Sequence, residues 1–379
     1  MSVARSDDTP SALAILLVAR HPYGGRPPLG DWQMARALGR HHRVLYVEPP
    51  AVVRSWQGWR TRYPELRTTS DGVTVMRPTA LPGATRRRTA WLSDAWLSRQ
   101  IQAESVRLFG TAKPVLLCFD PLRGTLNGVN RAFTVYWRRD RLADLAISRR
   151  REFLEVRDAR LLAASDLVSC TARTLVREAE SLTRGAVRYI PNGCEAEHFR
   201  APRERPPRFP PTEPVIGFVG GAFWRLDRGL IDHAAAARPN WTFLFVGDDR
   251  SSISSRPNVR QLGYVDYDQI PAYMQHVDVG IIPYDLDLPF NLGSFPIKAY
   301  EYLAAGVPVV STAMPALTSL EPFVRLASDP DDFVGHIETA LAQGPGHDAC
   351  RRLAAENTWS DRAEQLTSEI RQLLAATPS

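Results

Sequence analysis

The chain has 379 residues, of which 44% are hydrophobic and 23% are charged, which suits a globular protein of two domains of roughly 180 residues each. Its first apolar run, Ala12 to Ala19, is far shorter than the roughly 20 residues of a membrane-spanning helix, and we expect no such helix. The net charge of +6 divides into +15 over residues 1–210 and −9 over residues 211–379, which indicates two units of different surface chemistry.

The run Leu13 to Ala19 predicts a buried strand and not a signal peptide, because acidic residues and a proline precede it and a basic leader is lacking. A loop with Gly24 and Gly25 follows, and then a helix from about Asp31 to Leu38 and a second strand. This order is typical of the start of a Rossmann unit, in which glycines let the backbone approach a ligand. His21 in the loop is a candidate substrate contact.

Two more buried strands are predicted in the first half, Val115 to Phe119 and Ala132 to Tyr136. Asp120 follows the former and is a candidate polar contact to a substrate. Aromatic and charged side chains after the latter either build an acceptor pocket or are ordinary loop residues. The candidate acceptor-binding residues are His21, Tyr23, Trp137, Arg138 and Asp140, with Trp56 and Trp59 as further aromatics.

A proline-rich stretch, Ala201 to Thr212, coincides with the change in charge and predicts a linker. We therefore expect one domain over residues 1–205 and another over residues 213–379. The cysteines form no C-x-x-C pair, so reduced thiols in a cytoplasmic protein are the simplest interpretation; they are Cys118, Cys170, Cys194 and Cys350.

The second half opens with a predicted strand, Val215 to Val219, and a glycine loop that contains Gly220 and Gly221. Arg225 and Arg228 lie in the same loop, and a guanidinium can bind phosphate oxygens in a bidentate manner. A strand that begins at Val259 leads to Tyr264 and Val265, and the C-terminal stretch from Asp332 to Ala376 has a helical pattern.

The segment from Asn291 to Thr312 is the most informative part of the chain. Pro296 suits the first position of a helix, Gly306 can end that helix, and a buried strand follows. A helix N-terminus with a nearby cation favours phosphate, and Lys298 supplies the cation. Only two of the 47 basic residues are lysines, which makes this one conspicuous. Glu301, one turn later, can accept hydrogen bonds from ribose hydroxyls.

This segment resembles the signature P-x-K-x-x-E-Y-L-A-x-G-x-P-V-V of the retaining nucleotide-sugar glycosyltransferases of family 4. The residues around Asp140 resemble a segment of the teichuronic-acid-type members of that family. The resemblance implies an α/β protein with the GT-B fold, in which two Rossmann-like domains face each other, the donor site lies in the cleft, and the last helix returns to the first domain. Its matching residues are Pro296, Lys298, Glu301, Tyr302, Leu303, Ala304, Gly306, Pro308, Val309 and Val310.

The same resemblance implies roles for the candidate residues. Lys298, Arg225 and Arg228 hold the donor diphosphate, and Asp120 stands where relatives have a histidine that meets the donor sugar. The family's commoner form has a second glutamate, which falls here on Gly293, so sugar orientation is left to backbone N–H groups of the turn. The implied donor-binding residues are Gly24, Gly25, Gly220, Gly221, Tyr264, Val265, Asn291, Leu292, Gly293, Ser294 and Glu301.

The implied function is transfer of a sugar, with retention of configuration, from a UDP-sugar or GDP-sugar to a small-molecule acceptor such as a natural product or metabolite, as in antibiotic biosynthesis. No metal or other cofactor is required. Transfer to a cell-envelope polysaccharide or lipid-linked acceptor is the alternative. A GT-B nucleotide-sugar epimerase would need paired acids and histidines for its proton transfers, and this sequence lacks them. A non-catalytic nucleotide-sugar-binding protein is a further alternative, which stays open. We expect no nucleic-acid binding, because no motif accompanies the arginines, whereas peripheral contact with an anionic membrane stays open.

Overall fold

The computed structural model describes residues 12–25, 30–52, 64–82, 90–122, 127–211, 214–247, 252–344 and 347–376. Two mainly parallel β-sheets organise these residues, one built from strands between residues 14 and 189 and the other from strands between residues 215 and 327. The proline-rich stretch that was predicted as a linker falls between the two sheets.

The first half contains, in chain order, β1 (Ala14–Val18), α1 (Gly30–Gly39), β2 (Arg43–Val47), β3 (Ala51–Val52), β4 (Glu65–Thr68), β5 (Thr74–Arg77), β6 (Thr79–Ala80), α2 (Ala90–Phe109), β7 (Val115–Cys118), β8 (Phe133–Arg138), α3 (Ser148–Ala164), β9 (Leu167–Cys170), α4 (Arg173–Leu182), β10 (Ala186–Tyr189) and α5 (Ala196–Arg200). Its main sheet has the order β10-β9-β8-β7-β1-β2-β5-β4, and only the pair of β4 and β5 is antiparallel. Strands β7, β8 and β9 are buried along their whole length, as expected of parallel strands with apolar sequences.

The second half contains β11 (Val215–Gly220), α6 (Arg228–Ala237), β12 (Thr242–Gly247), β13 (Val259–Gly263), α7 (Ile270–His276), β14 (Val279–Ile282), α8 (Pro289–Leu292), α9 (Lys298–Ala305), β15 (Val309–Thr312), β16 (Val324–Ala327), α10 (Pro330–Gln343), α11 (His347–Ala355) and α12 (Trp359–Ala376). Its six-stranded sheet is parallel, with the order β13-β12-β11-β14-β15-β16. The strand order reverses beside β11, and such a switch point opens a crevice at the carboxyl ends of the strands.

The helical pattern from Asp332 to Ala376 corresponds to three helices, and α12 packs on the first half. Trp359, Leu366 and Ile370 are buried in the same apolar core as Leu38 of α1. The last helix thus contacts the first half. None of the described helices is both long and apolar enough to cross a membrane.

Candidate functional site

Lys298 is the first residue of α9, and its ammonium group lies beside the end of β11. The ammonium donates a hydrogen bond of 2.8 Å to the Tyr284 hydroxyl and lies 4.3 Å from the centre of the Phe218 ring. The helix ends where the sequence predicted, because Gly306 adopts a left-handed φ of 84°. Helix start and helix end are thus both set locally, and together they fix the position of the lysine.

Gly220 leaves room for this lysine at the end of β11. Its φ is +142°, and a Cβ atom built on it would lie 2.9 Å from Cε and 3.0 Å from Nζ of Lys298. Only glycine fits this position without displacing the ammonium group. A Cβ atom on the next residue, Gly221, would meet nothing within 4 Å, so there is open space next to the cation.

Arg225 and Arg228, which were predicted to act together, have different surroundings. The Arg225 guanidinium donates from Nε to the Asn291 side-chain oxygen at 2.7 Å and from Nη2 to the Ser294 hydroxyl, and it lies 4.1 Å from the centre of the Tyr284 ring. Arg228 is exposed at the start of α6. Arg225 and Lys298 both contact Tyr284 and so form one cluster, whereas a role of Arg228 beside them stays a prediction.

Tyr284, which the sequence analysis did not single out, lies between the two cations. Burial alone would raise the pKa of its hydroxyl, but the charges of Lys298 and Arg225 outweigh burial and hold that pKa below its ordinary value. A phenol with a lowered pKa reports a strongly positive potential, which favours a bound anion. The feature of the sequence that could have identified Tyr284 is its position, two residues after the end of β14 at the carboxyl edge of the sheet.

Glu301 is the acidic group of the same helix. Burial raises its pKa to about 7, the Lys298 charge opposes this rise, and the carboxylate of Glu195 adds to it. Glu195 itself, in the segment that begins Pro191-Asn192-Gly193 and that the sequence indicates as a structural connection between the domains, joins the two halves: it accepts hydrogen bonds of 2.8 Å from both Gln33 and Arg36 of α1 and one of 3.0 Å from the Tyr267 hydroxyl. The two carboxylates are thus electrostatically coupled at the junction of the halves.

The turn from Asn291 to Ser294 replaces the segment in which the family commonly has a second glutamate. The amide N–H groups of Gly293 and Ser294 both donate to the Asn291 carbonyl, and the Asn291 amide donates to Leu288. Leu292 is partly exposed, and its carbonyl accepts a hydrogen bond from Thr174 of α4. These three amides bond within the turn, so their predicted contact with the donor sugar requires the turn to rearrange.

The carboxyl edge of the first sheet gathers several charged groups that were separate in the sequence. Asp31, fully buried at the start of α1, accepts hydrogen bonds of 3.0 Å from the backbone N–H groups of Arg20 and His21 and lies 3.0 Å from His21 Nδ1. Asp140 lies 4.0 Å from Arg20, and Arg139 approaches the same helix end. His21 and Asp140 of the predicted acceptor site are therefore brought together.

The structure corrects one prediction for Trp137 and Arg138: they do not line an open acceptor pocket after the strand predicted at Ala132 to Tyr136. Strand β8 continues through Arg138, so these neighbours point to opposite faces of the sheet, and each is only 1% exposed. Trp137 stacks on Phe119, while Arg138 donates hydrogen bonds of 2.7 Å and 3.0 Å to Asp158 and Glu178. Both side chains thus have partners inside the protein. Trp56 and Trp59 lie outside the described residues.

The remaining candidates have mixed surroundings. Asp120 is buried and accepts a hydrogen bond from the amide of Leu122, and the Tyr23 hydroxyl donates to Asp71. Tyr264 is 58% exposed, whereas Val265 is buried. Gly24 has a left-handed φ of 76° and Gly25 donates to a nearby carbonyl within the loop. Contacts of Tyr23 with an acceptor, and of the other residues with a donor, stay predictions.

Comparison with known proteins agrees with this geometry. Residues 213–343 match the sequence profile of a family described as glycosyl transferases group 1. A curated protein of Bacillus subtilis (strain 168), described as the teichuronic acid biosynthesis glycosyltransferase TuaH, is 35% identical over 211 residues, which cover 51% of this chain and 53% of that protein. The match thus spans about half the length of this curated relative.

Solved structures resemble nearly the whole chain. Sucrose-phosphate synthase from Thermosynechococcus elongatus has a TM-score of 0.70 at 18% identity, over 96% of this chain and 100% of that one. Anabaena Alr3699/HepE in complex with UDP-glucose has a TM-score of 0.65 at 15% identity, over 95% and 100%. At such identity the likeness concerns the fold, and it confirms the predicted GT-B architecture.

Proposed function

We propose that this chain, a GT-B protein whose C-terminal domain belongs to the group 1 glycosyl transferases, moves a sugar from a nucleoside-diphosphate sugar to a saccharide acceptor of the cell envelope. The observation that carries the proposal is the pair of cations around Tyr284, Lys298 and Arg225, with open space beside Gly221. A UDP-sugar is the favoured donor, because one structure of the same fold was solved with UDP-glucose.

In the proposed mechanism Lys298 and Arg225 neutralise charge that develops on the departing diphosphate. Such stabilisation is greatest in a preorganised site, and here the cations are held by Tyr284, Asn291 and Ser294 before any ligand arrives. Glu301 accepts hydrogen bonds from the ribose. Retention follows if the acceptor attacks on the face that the diphosphate vacates, with the phosphate accepting its proton, and this route demands no protein nucleophile.

The acceptor is the less constrained substrate. The likeness to a teichuronic acid glycosyltransferase favours an envelope saccharide, and the small-molecule acceptor predicted from the sequence is the competing case. Product analysis with a saccharide acceptor and with a panel of aglycone metabolites, each with UDP-sugars, discriminates between them.

The donor half of the proposal is tested with UDP-sugars and GDP-sugars in water. Slow release of nucleoside diphosphate supports a transferase, an interconverted sugar supports an epimerase, and binding without turnover supports a binding protein. Lys298→Ala should lower the release rate about 100-fold or more, because it removes a charge-stabilising group. Lys113→Ala, which changes the chain's other lysine at an exposed position, is the matched control and should match wild type. Equal turnover in Lys298→Ala would contradict the proposed site.

A further inference from the structure

Two arginines of the first half meet at the edge of its sheet. Arg20 lies two residues beyond the end of β1, and Arg139 directly follows β8. The two strands are parallel and flank β7, so their carboxyl ends open toward the same side. Arg139 also approaches the start of α1, where a Cβ atom built on Gly30 would lie 3.2 Å from its Nη1.

The two guanidinium groups make few direct polar contacts. Among the described residues the Arg139 side chain forms no hydrogen bond or ion pair, although its backbone carbonyl accepts a hydrogen bond from Thr171, and its guanidinium carbon lies 5.8 Å from the centre of the Phe119 ring. Arg20 reaches Asp140 at 4.0 Å, which is beyond hydrogen-bond range. Burial and the charge of Arg139 lower the pKa of Arg20, whereas the carboxylates of Asp140, Asp120 and Asp31 oppose this change. The two arginines are thus close enough to interact with each other at this edge.

The nearest buried acid, Asp31, is already occupied. Its carboxylate accepts hydrogen bonds from three backbone N–H groups, those of Arg20, His21 and Trp32, and it contacts the Nδ1 atom of His21. This contact orients the imidazole, whose Nε2 has no hydrogen-bond partner among the described residues. The His21 ring is thus presented beside the two arginines.

We propose that Arg20 and Arg139, together with His21, form a subsite for an anionic group, phosphate or carboxylate, on the acceptor. The inference rests on the proposed glycosyl transfer and names its acceptor class. A planar guanidinium binds either anion in a bidentate manner, and the imidazole is placed to contact a neighbouring hydroxyl. An anionic group at this subsite would give the Arg139 guanidinium the hydrogen-bond partner that it does not have among the described residues.

The test measures binding of three probes by calorimetry: glucose 6-phosphate, glucuronate and glucose. Saturating UDP fills the donor site, so that its cations do not bind the probes. Wild type should bind at least one anionic probe about tenfold or more tightly than glucose, and the stronger of the two distinguishes phosphate from carboxylate. The double variant Arg20→Gln/Arg139→Gln should lose this preference while it keeps its UDP affinity. Arg149→Gln, at an exposed arginine of α3, is the matched control.

Equal binding of charged and neutral probes by wild type, or an unchanged preference in the double variant, would overturn the subsite. If the double variant also loses UDP binding, the single variants Arg139→Gln and Arg139→Lys are compared instead. Only Arg139→Lys should then keep part of the preference for the anionic probe over glucose. Failure of wild type to turn over any nucleotide sugar would instead refute the proposed function, so the two failures are distinguishable.

Discussion

Lowering the pH from about 8 to about 6 should weaken binding of a UDP-sugar about tenfold, because Glu301 loses the charge with which it accepts ribose hydrogen bonds. With a pKa of about 7, about nine-tenths of the carboxyl groups are ionised at the upper pH and about one-tenth at the lower pH. A tenfold change in affinity corresponds to about 1.4 kcal/mol. The raised pKa comes chiefly from burial and is increased by Glu195.

Calorimetry with UDP-glucose from pH 5.5 to 8.5 measures this effect. UDP itself is unsuitable, because its terminal phosphate titrates near pH 6. Glu301→Gln should bind about 1 to 3 kcal/mol more weakly at high pH and show a flat profile. Glu195→Gln should move the midpoint to lower pH, because a neighbouring negative charge is removed. A flat profile for wild type, or a slope that survives in Glu301→Gln, would refute the reasoning.

The Glu301 carboxyl strengthens donor binding as the pH rises, but it lowers the folding stability of the unliganded protein over the same change. Between pH 4.5 and about 7 the folded state keeps a proton on Glu301 that an unfolded chain releases, so stability from this group falls as pH rises through that window. The full effect is about 3 kcal/mol for this shift. The Glu301→Gln variant should lack this component, which a comparison of urea unfolding at both ends of the window measures.

Five further variants, two of them comparisons, test the site and the buried network of Arg138. Arg225→Ala should lower kcat/KM about 100-fold, and Arg228→Ala, which removes an exposed arginine, should lower it much less; similar losses would contradict the single cluster. Gly220→Ala should abolish most turnover because its methyl group displaces the lysine ammonium, whereas Gly221→Ala has space and tests whether the loop merely resists substitution. Arg138→Leu should destabilise the fold by about 1 to 3 kcal/mol in urea, because Asp158 and Glu178 lose a buried charged partner and keep only Tyr136 and Arg141 among the described residues, and a loss below about 0.5 kcal/mol would show that the network contributes little.

The parts of the site that the sequence predicted are those set by local structure. Lys298, Glu301 and Gly306 are placed by one helix with a proline before it and a glycine after it, so spacing sufficed. The partners of Glu195 could not be found in this way, because they come from α1 and from the segment before α7, which are remote in sequence. The pocket around Trp137 failed for a different reason: β8 ends at Arg138, two residues beyond the end that its apolar pattern indicated, so Trp137 and Arg138 lie within the strand and not in a loop after it.

The return of α12 to the first half has a consequence for biosynthesis. The apolar face of α1 is completed by residues that leave the ribosome more than 300 positions later. At about 5 to 20 residues per second, the delay is on the order of half a minute. During that time the nascent first half presents an uncovered apolar face to chaperones. Chains that terminate before Trp359 never cover it, so they should be recovered as aggregates or chaperone complexes even though every strand of both sheets has been made.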